Sequence, residues 1–105
     1  MPTHIIDASV GISTVNLSEV ATRLGSRGAA AADAEFQCRS LGLDLIEVDA
    51  ETAFRAAALF PATQPSGLSL GDRICLATAL KFAVPAVTAD KAWAGIQGML
   101  VEVIR

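Results

Sequence analysis

The chain has 105 residues, of which 52% are hydrophobic and 18% charged, so it can bury one core and is not disordered by composition. Its formal net charge of −3 argues against a broad basic surface that holds nucleic acid by counterion release. No apolar stretch approaches the roughly 18 residues needed to span a bilayer, and no secretory signal opens the chain. We expect one soluble, cytoplasmic domain over residues 1–105, in which any contact with nucleic acid is local or metal-mediated.

Predicted strands and helices alternate along the chain. A β-branched strand at 12–15 precedes a helix that follows Asn16 and carries Leu17, Val20 and Leu24 at helical spacing. Later helices are predicted at 29–41, 50–59, 70–82 and 91–95, and later strands at 45–48, 86–88 and 100–104. This alternation predicts an α/β domain with a mostly parallel central sheet flanked by helices, whose ligand site lies at the carboxyl ends of the strands.

Two segments of this pattern stand out. The helix at 70–82 is apolar nearly all round, which predicts burial on more than one side and a central position. The segment before it contains Pro61, Pro65 and Gly67, which predict an irregular loop ending at Ser69.

Three carboxylates stand where predicted strands give way to helices: Glu19, Asp72 and Asp90. Convergence at one end of the sheet would make them repel one another unless a hard divalent cation shared them, and Mg²⁺ or Mn²⁺ prefers oxygen ligands. Such a cluster implies metal-assisted hydrolysis.

Helix capping explains the same acids without a metal. Segments 16–19 and 69–72 both match a capping pattern, and Asp90 could itself cap the short helix that begins at Lys91. An acid in a first helical turn also gains about 0.3 to 1 kcal/mol from the helix dipole. Spacing alone leaves both explanations open.

Other chemistry is poorly supported. Cys38 and Cys75 lie far apart and are expected to be buried thiols, and His4 is the only histidine, so neither a zinc site nor a catalytic triad is indicated. No phosphate-cradling glycine motif occurs. Four basic residues near the acids are either phosphate contacts or solvated surface charge: Arg23, Arg27, Arg73 and Lys91.

Three segments resemble motifs of VapC-type PIN domains in the expected order. Residues 12–20, ISTVNLSEV, resemble a strand and helix whose Glu is a metal ligand, here Glu19. Residues 67–77, GLSLGDRICLA, look like the segment that carries the family's central Asp, here Asp72. Residues 85–93, PAVTADKAW, are similar to the late strand and turn, with Asp90 at the position of the last Asp.

The resemblance implies a PIN-like three-layer α/β fold and a homodimeric ribonuclease that depends on Mg²⁺ or Mn²⁺. It further implies a toxin that hydrolyses RNA phosphodiester bonds and is silenced by a partner antitoxin in a type II toxin–antitoxin system.

The front of the chain departs from this pattern. Residues 5–9, IIDAS, look like the opening motif, whose Asp would be Asp7, the fourth candidate catalytic and metal-binding residue. Parallel neighbouring strands need a crossover of about a dozen residues, and only a few lie between Asp7 and Ile12. Either the intervening helices are missing, or the chain starts late and Asp7 matches by chance.

The ribonuclease has two rivals, of which the shortened front favours the first. One is a degenerate, non-catalytic PIN fragment that dimerises or binds an antitoxin. The other is a structural interaction domain in which the acids only cap helices.

Overall fold

The computed structural model describes residues 5–6, 11–84, 86–88 and 101–103 of the chain. The strands are β1 (Ile5–Ile6), β2 (Gly11–Ser13), β3 (Asp44–Ile46), β4 (Ala86–Thr88) and β5 (Val101–Val103). The helices are α1 (Thr14–Ser26), α2 (Ala31–Arg39), α3 (Ala50–Ala58), α4 (Phe60–Thr63) and α5 (Leu70–Phe82). A 3₁₀ turn at Gln64–Ser66 lies between α4 and α5. The predicted helix at 91–95 lies outside the described residues.

The strands form one five-stranded sheet in the order β3-β2-β1-β4-β5. β2 pairs parallel with β3, and β4 pairs parallel with β5, whereas β1 is antiparallel to both β2 and β4. All the strands except β1 therefore run in the same direction. The α/β prediction with a mostly parallel sheet is confirmed.

The direction of β1 answers the problem of the short connection to β2. An antiparallel pair needs no crossover, so residues 7–10 are enough to join the two strands. Ile6 pairs with Gly11 and with Ala86, which places the carboxyl end of β1 where β2 and β4 begin. Asp7 itself lies outside the described residues.

α1 begins earlier than its sequence predicts. Ser13 is the N-cap, and its hydroxyl accepts the backbone N–H of Asn16 at 3.1 Å. Thr14 and Val15, which were predicted to continue the strand, form the first turn of the helix. The predicted strand forms as β2 over Gly11–Ser13, but its predicted end at Val15 and the capping role of Asn16 are wrong, because the Ser13 cap outweighs the β preference of two branched residues.

α5 forms the centre of the core, with the bounds that the sequence predicts. Residues 74–79 are all buried, and the helix packs against α3 and three strands. Ser69 and Asp72 close a full capping box at its start. The predicted central position is confirmed.

α3 lies antiparallel against α5 and is joined to it at both ends. Lys81 Nζ donates to Asp49 Oδ2 at 2.7 Å, and Asp49 also caps α3. At the other end, Arg73 Nη1 donates to the carbonyl of Ala56 at 3.0 Å, and its guanidinium lies over the Phe60 ring. Arg73 thus has a structural role in place of the phosphate contact or solvated charge expected of it.

The proline-containing segment before α5 is more ordered than predicted. α4 and the 3₁₀ turn occupy it because each proline lies in the first turn of a short helix, where its missing N–H costs nothing. Gly67 ends the turn with φ of 70°, a left-handed conformation that suits glycine. No helix within the described ranges is long and apolar enough to cross a membrane.

Candidate functional site

Glu19 lies in the second turn of α1, with its side chain directed back towards the start of the helix. Its Oε1 accepts a hydrogen bond from Asn16 Nδ2 at 3.0 Å. Helical side chains tilt towards the N-terminus, so a residue three positions earlier is within reach. The carboxylate is thereby held beside the first turn of α5, although Glu19 as a residue is exposed.

Asn16 is the buried link between α1 and α5. Its side-chain amide donates to Glu19 and also to the carbonyl of Gly71 at 3.0 Å, across 55 residues of sequence. Its Oδ1 accepts from the Ser13 hydroxyl at 2.6 Å. Both ends of the amide are therefore engaged, and its position fixes Glu19 relative to α5.

Gly71 allows this close approach. A Cβ added at Gly71 would lie 2.6 Å from the Glu19 carboxyl carbon and 2.8 Å from Oε1. Real Cβ atoms essentially never show contacts this short, so any side chain at position 71 would displace Glu19 or α5. The glycine brings the Glu19 carboxylate against the backbone immediately before Asp72.

Asp72 is held by the helix start. Its Oδ2 accepts the backbone N–H of Ser69 at 2.9 Å, while its own N–H donates to the Ser69 hydroxyl at 3.2 Å. The capping explanation offered for Asp72 is correct. The cap also fixes the orientation of this half-buried carboxylate at the place where Glu19 meets α5.

The negative charges of Asp72 and Glu19 both act on the pKa of Cys75, which lies one turn further along α5. Burial raises the pKa of the Cys75 thiol to about 12, with smaller contributions from the negative charges of Asp72 and Glu19. One buried group thus senses both carboxylates. Cys38 is also buried, so the prediction of two buried thiols is confirmed.

Glu19 and Asp72 line a cleft of about 590 Å³ that runs along α1. Asn16 also lines this cleft, and so do Arg23 and Arg27. Negative and positive side chains thus share one concave surface, and this volume is in the range of ligand sites.

The described donors suit a hard divalent cation. Mg²⁺ is commonly held by one or two carboxylates, keeping several waters or taking substrate phosphate oxygens, and Glu19 and Asp72 supply carboxylates of this kind. Within the part of the chain that the structure describes, no group of three or more His, Cys, Asp or Glu side chains could hold a metal ion. Asp7 and Asp90 lie outside that part, and their role in the site stays a prediction.

Sequence reasoning missed two residues of this site, Asn16 and Gly71. Asn16 was considered only as a helix cap, and Gly71 only as part of an absent glycine motif. Gly71 carried a signal, because glycine in a helical turn costs up to about 1 kcal/mol relative to alanine and so calls for a reason. The sequence around Gly71 did not indicate that the glycine makes room for Glu19.

These features define an α/β domain whose candidate site joins two carboxylates to a mixed-charge cleft. The chain belongs to the PIN domain family, since the family model matches residues 3–98. That range includes Asp7, Glu19, Asp72 and Asp90. PIN domains are generally nucleases and usually use divalent metal ions. Comparisons with curated proteins and with solved structures returned no match.

Proposed function

We propose that the chain is a VapC-type endoribonuclease that depends on Mg²⁺ or Mn²⁺, the toxin of a type II toxin–antitoxin pair. In this proposal it acts as a cytoplasmic homodimer on RNA and is silenced by a cognate antitoxin. The observation that supports it best is the packing of Glu19 over Gly71, which brings one carboxylate of the family motif to the helix turn that carries the other.

Each part of the described site has a task in this proposal. Asn16 orients Glu19, and the Ser69 N–H orients Asp72, so both carboxylates are set before substrate arrives. Glu19 and Asp72 would hold the metal, and Asp90 and Asp7 are the further ligands that we propose. The chemistry that these residues would gain from a bound metal is a lowered pKa of a coordinated water and neutralisation of charge on the phosphate.

One observation favours a second candidate, the degenerate fragment that binds a partner without cleaving RNA. The carboxyl end of β1 lies at the end of the sheet opposite Ser13 and Thr88, where β2 and β4 finish. The chain therefore leaves β1 on the side away from α1. A ribonuclease that uses Asp7 needs the chain after β1 to return to the end of the sheet where α1 begins, and a binding fragment has no such requirement.

The first test is the thermal midpoint of the purified protein with and without Mn²⁺. At a concentration about 100 times Kd, a metal that binds only the native state stabilises it by about 2.7 kcal/mol. For a domain of this size that corresponds to a rise of roughly 10–20 °C. We expect this rise in the wild type and its loss in Asp72→Asn, whose amide oxygen can still accept the Ser69 N–H.

Asp33→Asn is the matched control, because Asp33 also lies in the first turn of a helix but not in the cleft. This variant should keep the full Mn²⁺ response. The same proteins are then assayed for cleavage of unstructured RNA, where Asp72→Asn should be inactive and Asp33→Asn active. Cleavage retained by Asp72→Asn would sink the site assignment, and no Mn²⁺ response in the wild type would favour the second candidate.

A further inference from the structure

The cleft contains a basic surface that the proposed metal chemistry does not use. We propose that Arg23 and Arg27 form a phosphate-binding subsite that holds the single-stranded RNA next to the phosphate being cleaved. This inference rests on the proposed nuclease function and adds the residues that grip the substrate strand. Both arginines are exposed and line the same cleft as Glu19 and Asp72.

The spacing along α1 suits a nucleic acid strand. Glu19, Arg23 and Arg27 follow at intervals of four residues, which places them along one face of the helix and its C-cap. With a rise of about 1.5 Å per residue, each step is roughly 6 Å along the helix. Neighbouring phosphates of an extended strand are separated by a similar distance, so one phosphate at the carboxylates would bring the next ones to the arginines.

The two guanidinium groups are available for a ligand. Across the described ranges, the side-chain salt bridges join Arg39 to Glu35 and Lys81 to Asp49, and neither Arg23 nor Arg27 takes part in one. Glu19 is the acid four residues before Arg23, the usual helical partner, but it bonds to Asn16 and faces α5.

The helix dipole by itself does not explain both arginines. It favours a basic residue in a last turn, and Arg39 and Arg55 occupy that position in α2 and α3. Those two do not line the cleft with the carboxylates, whereas Arg23 and Arg27 do. The helix dipole therefore explains why basic residues lie at the end of α1. It does not explain why Arg23 and Arg27 line the same cleft as the carboxylates.

Charge complementarity favours RNA over an acidic peptide as the occupant. The guanidinium fork matches the oxygens of a phosphate in a two-point contact. The same cleft also carries Glu19 and Asp72, which repel a carboxylate-bearing peptide. A phosphodiester strand can meet these acids through a shared divalent cation and meet the arginines directly, so the acidic and the basic side chains of the cleft fit one ligand.

Binding of a fluorescein-labelled, unstructured RNA oligonucleotide tests the subsite by polarisation, with Ca²⁺ present. The experiment uses an Asp72→Asn background, in which the RNA stays intact. Arg23→Gln with Arg27→Gln should weaken binding roughly tenfold, as expected for two exposed ion pairs. The slope of log K against log salt should also fall by about 1.4, because each phosphate contact on a single strand contributes about 0.7.

Arg39→Gln is the control, since Arg39 is an exposed helix-end arginine outside this cleft. It should leave both affinity and salt slope unchanged. Equal binding by the double variant and this control would overturn the subsite, and so would arginine-dependent binding of an oligoglutamate peptide without binding of RNA. Wild-type RNA cleavage in Mn²⁺ is measured alongside, so the two proposals can fail separately.

The combined results separate the cases. If the wild type cleaves RNA and the two arginine substitutions do not change RNA affinity, only the subsite is overturned. Arginine-dependent RNA binding without cleavage supports the subsite and contradicts the nuclease. If the protein neither binds nor cleaves RNA, both proposals are overturned.

Discussion

Gly71 is the position in the site with the least room for a side chain. In most helices, replacing glycine by alanine stabilises the protein by up to about 1 kcal/mol, because alanine loses less backbone entropy on folding. At Gly71 the added methyl would collide with the Glu19 carboxyl group. Because this carboxyl group is the far end of a flexible, exposed side chain, the methyl would displace Glu19 from its place against α5.

We expect Gly71→Ala to change the free energy of unfolding by no more than about 1 kcal/mol, because the exposed Glu19 carboxylate can swing away from the added methyl, and to abolish the rise in thermal midpoint with Mn²⁺. Gly25→Ala is the matched control, because Gly25 is also helical and has nothing within 4 Å of an added Cβ. It should stabilise the protein by up to about 1 kcal/mol. Urea unfolding measures the stability of both variants, and a full Mn²⁺ response in Gly71→Ala would contradict the role given to Glu19 at its place against α5.

At this scale the sequence predicted residue types better than residue contacts. Glu19 and Asp72 were identified by motif, and Asp72 also by the local capping pattern that Ser69 completes within three residues. The hydrogen bonds of Asn16 with Glu19 and Gly71 depend on how two distant helices pack, which a single chain's residue pattern does not contain.

Among the elements, α5 ends in an unusual way. Ala83, its C-cap, has φ of 55°, in the left-handed region, and its N–H bonds to the carbonyl of Leu80. Val84 then donates to Ala79, which completes the helix end. This conformation is sterically unfavourable for alanine, because of its Cβ, and not for glycine.

Ala83→Gly should therefore stabilise the protein by roughly 0.5–1 kcal/mol, against the usual trend for glycine. Ala57→Gly, at an exposed position within α3, is the control and should destabilise by about 1 kcal/mol. Chemical denaturation of the two variants is sufficient. Destabilisation by both would mean that Ala83 is not left-handed in solution.

Elements were predictable where local signals agreed. α5 has an apolar sequence, a capping box and a following proline, and its bounds matched. At the start of α1 two signals disagreed, since Thr14 and Val15 favour a strand while Ser13 favours a helix start, and the cap prevailed. The direction of β1 was not predicted, because pairing with β4 involves the far end of the described chain.

At the scale of the whole molecule, the Asp49–Lys81 pair links the start of α3 to the end of α5. The Lys81 ammonium, followed by the Thr52 N–H, holds the pKa of Asp49 well below its usual range. A carboxyl group with a lowered pKa in the folded state adds stability above its unfolded pKa of about 4. That contribution is lost as the pH falls through the folded value.

Asp49→Asn keeps a good N-cap and removes the charge. Its free energy of unfolding should be lower than that of the wild type at pH 7, and the difference should shrink as the pH falls below about 4. Glu35→Gln is the comparison, because Glu35 pairs with Arg39 inside a single helix and joins no two elements. A difference that stays constant from pH 7 to pH 3 would show that Asp49 carries no lowered pKa.

The central position of β1 also bears on how the chain reaches its native state. Ile5 and Ile6 lie between β2 and β4, so this two-residue strand joins the β2–β3 half of the sheet to the β4–β5 half. Strand β4 is translated long after β1, and closing so large a loop costs entropy before the pairing repays it. On the ribosome β1 therefore cannot pair with β4 until nearly the whole chain has emerged, and the sheet is completed only when β5 follows.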